Sequence, residues 1–127
     1  MIEGRVNEKL EATLNLQVFG PNGQTGTITV VIDTGYNGSL SLPASIVARL
    51  VLPQAASRAV ILADTTRRLL NYYSAALEWD GQRREIPVLC VEGDPLLGTA
   101  LLKNYKLDAA FVVNGKVHIQ QIANEIR

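Results

Sequence analysis

Thr27-Ile28-Thr29-Val30-Val31-Ile32 runs without a break into Asp33-Thr34-Gly35. Every residue ahead of the acid is β-branched, which favours a pleated strand over a helix. A strand that delivers a carboxylate onto a tight turn, with a small hydroxyl residue and a glycine behind it, holds the acid rigidly where a substrate can reach it. One such acid is half of an active site, and the rest of the chain has to supply the setting for the other half.

Upstream, Ala12, Leu14, Leu16 and Val18 alternate with Thr13, Asn15 and Gln17, the period of a half-buried strand, and Gly20-Pro21-Asn22-Gly23 supplies turn chemistry. A hairpin is expected, its second strand running from about Gln24 to Ile32. Downstream, Ser39 to Leu42 reads as a short strand, with Pro43 at the first position of a short helix over Ala44 to Leu50, where its missing N–H is not needed. Two longer β patterns, Arg58 to Ala63 and Leu69 to Trp79, flank the polar Asp64-Thr65-Thr66-Arg67, which predicts a long hairpin. Asp80-Gly81 is a tight-turn signal leading into a strand over Arg84 to Val91. After Gly93-Asp94-Pro95 comes Leu96-Leu97-Gly98, then a helix expected over Thr99 to Tyr105 with Thr99 near its start as a cap. A last hairpin is expected from Ala109 to Val113 and Lys116 to Gln120, turning at Asn114-Gly115. The order of elements makes two passes of one plan, although the letters do not repeat. No linker interrupts it, so residues 1–127 read as a single domain.

Length and charge narrow the function classes. A chain of 127 residues can bury one sizeable core, and its 12 basic residues balance 12 acidic ones, so no electrostatic footprint for nucleic acid or an anionic membrane is present. No apolar run approaches the roughly 18 residues that span a bilayer. Peptides and small molecules remain as partners. Cys90, inside the apolar run Ile86 to Val91, is the only cysteine, which rules out an intramolecular disulfide and fits a reducing compartment. With no basic-then-apolar leader at the N-terminus, the expected address is the cytoplasm. Cys90 reads as a core residue, because a thiol nucleophile wants a histidine and the single His118 lies on an expected terminal strand. One histidine does not build a ligand cluster either, so neither a metal nor a cofactor is expected.

Taken together, Val31-Ile32-Asp33-Thr34-Gly35 and, about sixty residues on, Leu96-Leu97-Gly98 ahead of a short helix resemble the retropepsin-like aspartic peptidases of clan AA. The longer stretch Ile32 to Pro43, followed by Leu62-Ala63-Asp64, looks like the small prokaryotic members of that group. The resemblance covers nearly the whole chain. It implies a mostly β fold, the closed β-barrel half of an acid protease with one or two short helices, in which Asp33 is a catalytic carboxylate. A chain with one such triplet borrows its second acid from another copy, so a homodimer acting on a peptide or protein substrate is implied. The chemistry requires the pair: one ionised carboxylate takes a proton from water while the other, protonated, polarises the carbonyl, and two close acids share that proton because both cannot ionise.

By the same resemblance, Thr34 would bond across the dimer axis and Gly35 would let the backbone turn tightly beside the dyad. Leu97-Gly98 would pack beneath the acid loop, with Gly98 admitting a second backbone. Ala63, Asp64 and Thr65 align with the flap that closes over substrate, and Tyr36 and Asn37 join them as substrate-binding residues. Two positions depart from the pattern: Tyr36 stands where retroviral enzymes carry a small residue, and Thr65 where related flaps carry glycine. Chain ends often form a shared sheet in the family, which nominates Met1 to Arg5 and Ile119 to Arg127 for the interface, although Gln120 to Ile126 reads equally as a short helix.

Alternatives remain open on sequence alone. The same fold serves a catalytically silent binding or assembly module. A phosphate-accepting aspartate of the haloacid-dehalogenase kind fits poorly, because it needs a second acid two residues on, where this chain has Gly35, and a doubly wound sheet that 127 mostly β residues do not hold.

Overall fold

The structure, a computed structural model, describes residues 1–61 and 63–123. It opens with a strand that the sequence pattern does not announce, β1 (Ile2–Val6), followed by the alternating hairpin β2 (Ala12–Phe19) and β3 (Thr25–Ile32). Leu14, Leu16 and Val18 point into the core from β2, and Ile28 and Val30 meet them from β3. On the outer face Thr27 and Thr29 donate to Gln17 and Asn15 at 2.9 and 2.8 Å. Period-two alternation thus sets both the buried face and the register.

Next come β4 (Leu40–Leu42), buried throughout, and α1 (Ala44–Arg49). Pro43 is the N-cap rather than the first helical residue: its backbone is extended, and its carbonyl accepts from Ile46 and Val47. The long hairpin is β5 (Gln54–Ile61) and β6 (Arg67–Trp79). Leu62 lies outside the described residues. Asp80 and Gly81, at φ +52° and +78°, then form the two-residue turn that matches strand twist and leads into β7 (Gln82–Cys90). Cys90 packs partly buried against the core, and burial pushes its thiol up, as suits a structural cysteine.

After β8 (Leu96–Leu97), the helix α2 covers only Thr99–Leu102, shorter than the expected span to Tyr105. Asn104 adopts a left-handed φ of +71°, which ends helical winding and starts β9 (Tyr105–Ala109). That strand lies four residues upstream of the expected one. Phe111, Val112 and Val113, the apolar residues that suggested a strand, are exposed in the connection to β10 (Lys116–Gln121). Thr99 provides no side-chain cap.

The strands join in the order β5-β6-β7-β4-β8-β3-β2-β1-β10-β9. Two parallel contacts lie at its centre: β8 pairs with β3 and β4 pairs with β7. Each half of the chain therefore places its short strand beside the hairpin of the other half, which gives the two-pass plan a physical form. A link of two residue pairs, Val18 with Leu77 and Phe19 with Ala76, ties β2 back to β6 around the core. Leu97 and Leu101, both fully buried, fix β8 and α2 to that core, each contributing about 1.5–3 kcal/mol of burial. The N-terminal strand is used inside the subunit, Ile2 to Arg5 pairing with Ile119 to Lys116 and Arg5 to Val6 with Thr13 to Ala12. Gln120 and Gln121 belong to β10, not to a helix, and residues 124–127 of the expected terminal segment lie outside the described residues.

Candidate active site

Asp33 leaves β3 as the parallel ladder with β8 ends. Its N–H donates to the Leu97 carbonyl at 2.9 Å, one step beyond the Ile32–Leu97 pair. Its own carbonyl accepts from Tyr36 N–H at 3.1 Å, and its Oδ1 accepts from Gly35 N–H at 2.9 Å. The second of these is the local turn that a short acidic side chain makes with the backbone two residues on, and it aims the carboxylate. Asp33 is half-buried, whereas Thr34, Gly35 and Asn37 are exposed.

The far side of the loop is held just as firmly. Gly98 N–H donates to Ser39 O at 2.9 Å, Thr99 N–H to Tyr36 O at 2.9 Å, and Ala100 N–H to Gly38 O at 3.1 Å. Thr99 Oγ1 adds a longer bond of 3.4 Å to the Tyr36 carbonyl. This closeness is possible only because residue 98 has no side chain: a Cβ there would collide with the Gly38 carbonyl oxygen and lie 2.6 Å from that of Tyr36. The φ of Gly98, −102°, is ordinary, so close approach and not conformational freedom demands the glycine.

Tyr36 explains a second glycine. A Cβ on Gly38 would run into the Tyr36 hydroxyl and ring, and a Cβ on Gly98 would lie 2.7 Å from the opposite ring edge. The ring thus occupies the space that the two glycines leave and braces the loop it belongs to. Burial pushes the Tyr36 hydroxyl up, and Tyr72 on β6 adds to the shift. The Arg58 guanidinium on β5 lies 5.5 Å from the Tyr72 ring centroid, a cation–π contact across the β5–β6 pair. The brace is not legible in the sequence pattern, since it depends on the Tyr36 ring folding back over Gly38 and on Gly98 meeting both from a distant element.

Ala63, Asp64 and Thr65 form the exposed tip of the β5–β6 hairpin. Asp64 Oδ1 accepts from the Thr66 hydroxyl at 2.6 Å and from Thr66 N–H at 3.1 Å, bonds that hold its carboxyl below the usual range. Thr65 takes a left-handed φ of +66°, the conformation for which glycine is the low-strain residue. The structure brings Asp33 to Asn37 into one loop and sets Ala63 to Thr65 apart at a hairpin tip. No three His, Cys, Asp or Glu side chains converge as a metal cage among the described residues.

Two solved structures share this architecture. EIAV protease in complex with the inhibitor HBY-793 superposes with a TM-score of 0.53 at 15% identity, over 73% of this chain and 86% of that one. A retropepsin-like aspartic protease from Rickettsia conorii superposes with a TM-score of 0.56 at 15% identity, over 96% of this chain and 92% of that one. The chain has a retropepsin-like fold. No protein-family model matches it, and no curated protein matches it by sequence. In this chain β8 pairs with both β3 and β4 and so lies against the loop that carries Asp33.

Proposed function

We propose that this chain is an aspartic endopeptidase that works as a homodimer, with Asp33 of each subunit forming one two-fold dyad. The observation that carries the reading is the double clamp on the acid loop, where Leu97 O holds Asp33 N–H from one side and residues 98–100 hold residues 36–39 from the other. A carboxylate fixed in this way, and left only half-buried, is organised for a reaction that needs position more than mobility.

In the dyad one carboxylate is ionised and one protonated, because two adjacent negative charges repel. The ionised member takes a proton from water as that water attacks the peptide carbonyl. The protonated member donates a hydrogen bond to the carbonyl oxygen, and the roles exchange as the leaving amine is protonated. Thr34, exposed at the loop tip, would reach the partner loop, and Gly35 N–H keeps Oδ1 of Asp33 in place. An extended peptide would lie between the paired loops and the β5–β6 hairpins, held by backbone bonds, with Tyr36, Asn37, Ala63, Asp64 and Thr65 touching it. The cytoplasm is the compartment that suits the lone Cys90.

The test is cleavage of a peptide library across acid to neutral pH by wild type and Asp33→Asn. Loss of cleavage in the variant supports the dyad, and equal cleavage by both refutes it. Absence of cleavage in the wild type favours the silent module.

A further inference from the structure

β1 and β2 form a fork. They pair at Arg5–Thr13 and Val6–Ala12 and then part, where a regular ladder would go on to join Glu3 with Asn15. The strands cross closely at its base: a Cβ on Gly4 would collide with the Thr13 carbonyl oxygen and lie 2.7 Å from Leu14 Cδ2. Neighbouring bonds tell which way the backbone groups turn. Val6 N–H donates to Gly115 O and Val6 O accepts from Asn114 N–H, both at 2.8 Å, so even-numbered residues of β1 turn toward β10 and odd-numbered ones toward β2. Gly20 N–H donates to Gln24 O at 2.8 Å, and by the same alternation the even-numbered residues of β2 turn toward β3 and the odd-numbered ones away from it. The N–H and C=O of Glu3 and of Asn15 therefore face the open fork from its two sides, without a ladder partner among the described residues.

Side chains of the outer sheet face surround the same opening. Glu3, Arg5, Thr13, Asn15, Lys116 and His118 line one cleft of about 280 Å³. Lys116 stands opposite Arg5 and His118 opposite Glu3 in the β1–β10 ladder. The Thr13 hydroxyl is spent on the Arg5 carbonyl at 2.8 Å, and Asn15 Oδ1 accepts from the Thr29 hydroxyl at 2.8 Å, which leaves the Asn15 amide to act as a donor. Arg5 Nη1 makes only a long bond of 3.3 Å to Asn114 O, and among the described residues neither Arg5 nor Lys116 forms an ion pair with Glu3. Two cations thus outweigh one carboxylate there, and Asp108, opposite His118 on β9, does not line the cleft. We infer that the fork binds the C-terminal end of an extended peptide, its free α-carboxylate held by Arg5, Lys116, His118 and Asn15. The backbone groups of its last two residues, which alternate in direction, pair one with Glu3 and one with Asn15. Unpaired ladder groups on both sides call for a peptide backbone, the cations call for an anion, and a chain end offers both within one residue. Charge-assisted bonds are roughly twice as strong as neutral ones, so the free acid is preferred to an amide. No residue of the cleft belongs to the 33–39 loop or the 63–65 tip, so the site stands apart from the peptidase reading.

His118 is the only histidine, so its imidazole proton resonances report on this cleft alone. They are followed at constant pH as N-acetyl-trialanine, its C-terminal amide or acetate is added to wild type, Arg5→Ala, Lys116→Ala and Lys106→Ala, with far-UV circular dichroism on each protein. The free acid shifts the resonances saturably, and the amide and acetate bind at least about tenfold more weakly. Arg5→Ala and Lys116→Ala each weaken the acid by about tenfold or more, while Lys106→Ala, outside the cleft on the same outer face, binds like wild type. Should Arg5→Ala lose its β signal, Lys116→Ala decides. Absence of a saturable shift overturns the inference, as does an amide that binds like the acid. Acetate as tight as the tripeptide reduces the cleft to a simple anion site, and a loss in Lys106→Ala equal to that in Lys116→Ala reduces it to general surface charge; either result overturns the peptide end. The same titration of Asp33→Asn gives the wild-type affinity, so this site and the peptidase reading fail separately. Binding lost in Asp33→Asn would place the peptide at the acid loop and overturn the fork.

Discussion

Gly98→Ala adds one methyl group at the tightest backbone contact around the acid loop. That methyl would collide with the Gly38 carbonyl oxygen and lie 2.6 Å from the Tyr36 carbonyl oxygen, and neither is the movable end of a side chain. Relief requires β8 and the loop to separate, stretching the bonds of 2.9 to 3.1 Å that Gly98, Thr99 and Ala100 donate to Ser39, Tyr36 and Gly38. Overpacking costs about 1–3 kcal/mol, and each buried hydrogen bond lost adds about 1–3 kcal/mol. The expected destabilisation is therefore about 3–5 kcal/mol, a large share of the roughly 5–15 kcal/mol that holds a domain together. Urea unfolding followed by the fluorescence of the single, buried Trp79 reads it as a midpoint lowered by more than about 1 M. Gly81→Ala supplies the control: Gly81 has φ +78° and nothing within 4 Å of an added Cβ, so only the conformational cost of about 1 kcal/mol applies. If Gly98→Ala costs no more than Gly81→Ala, the clamp on the acid loop is not the close contact described here.

Three further outcomes are expected. Tyr36→Ala empties the space between Gly38 and Gly98 and lowers stability by about 2 kcal/mol, while Tyr36→Phe keeps the ring and stays within about 0.5 kcal/mol of wild type in the same urea assay. Thr65→Gly removes a β-branched residue from φ +66°, and thermal unfolding should show a gain of up to about 1 kcal/mol, with strain relief exceeding the added freedom of the unfolded chain. Asp80 accepts from the N-terminal ammonium at 3.0 Å and from the Tyr105 hydroxyl at 3.2 Å, and chiefly the first bond lowers its pKa. A carboxyl depressed on folding stabilises above its unfolded pKa near 4 and loses that contribution as pH falls through the folded value. Melting temperatures of wild type and Asp80→Asn, measured from pH 2 to 6, should therefore differ most at the upper end and converge toward the lower. A constant gap would contradict the assignment.

The elements legible in the sequence are those whose pattern and packing agree. Leu14, Leu16 and Val18 alternate because one face of β2 is buried, and Asp80-Gly81 reads as a hairpin turn because two left-handed residues fit it. Toward the C-terminus, pattern and packing part for a definite reason. Phe111-Val112-Val113 has strong strand propensity but is exposed, whereas the real strand, Tyr105 to Ala109, carries Lys106 and Asp108 because one face of it looks outward. Propensity measures fit to a half-buried pleated surface, and at an edge that surface is partly absent. Asn104 is the signal the sequence carries, being a residue that tolerates the left-handed conformation found just after α2. In Ile2 to Val6, Glu3, Gly4 and Arg5 blur the alternation, and pairing with β10 decides its state. At the candidate site, Asp33-Thr34-Gly35 and Leu97-Gly98 were visible as motifs, while the packing of Tyr36 into the space beside two glycines depends on residues 60 positions apart meeting in three dimensions.

Subunit mixing tests the two-fold dyad most directly. Wild type and Asp33→Asn are unfolded together, refolded at varying ratios and fixed total concentration, and assayed for peptide cleavage. If each active unit needs Asp33 from both copies, activity falls with the square of the wild-type fraction, to about one quarter in an equal mixture. Activity that falls in direct proportion, to about one half, would mean that one carboxylate suffices and would contradict the shared site.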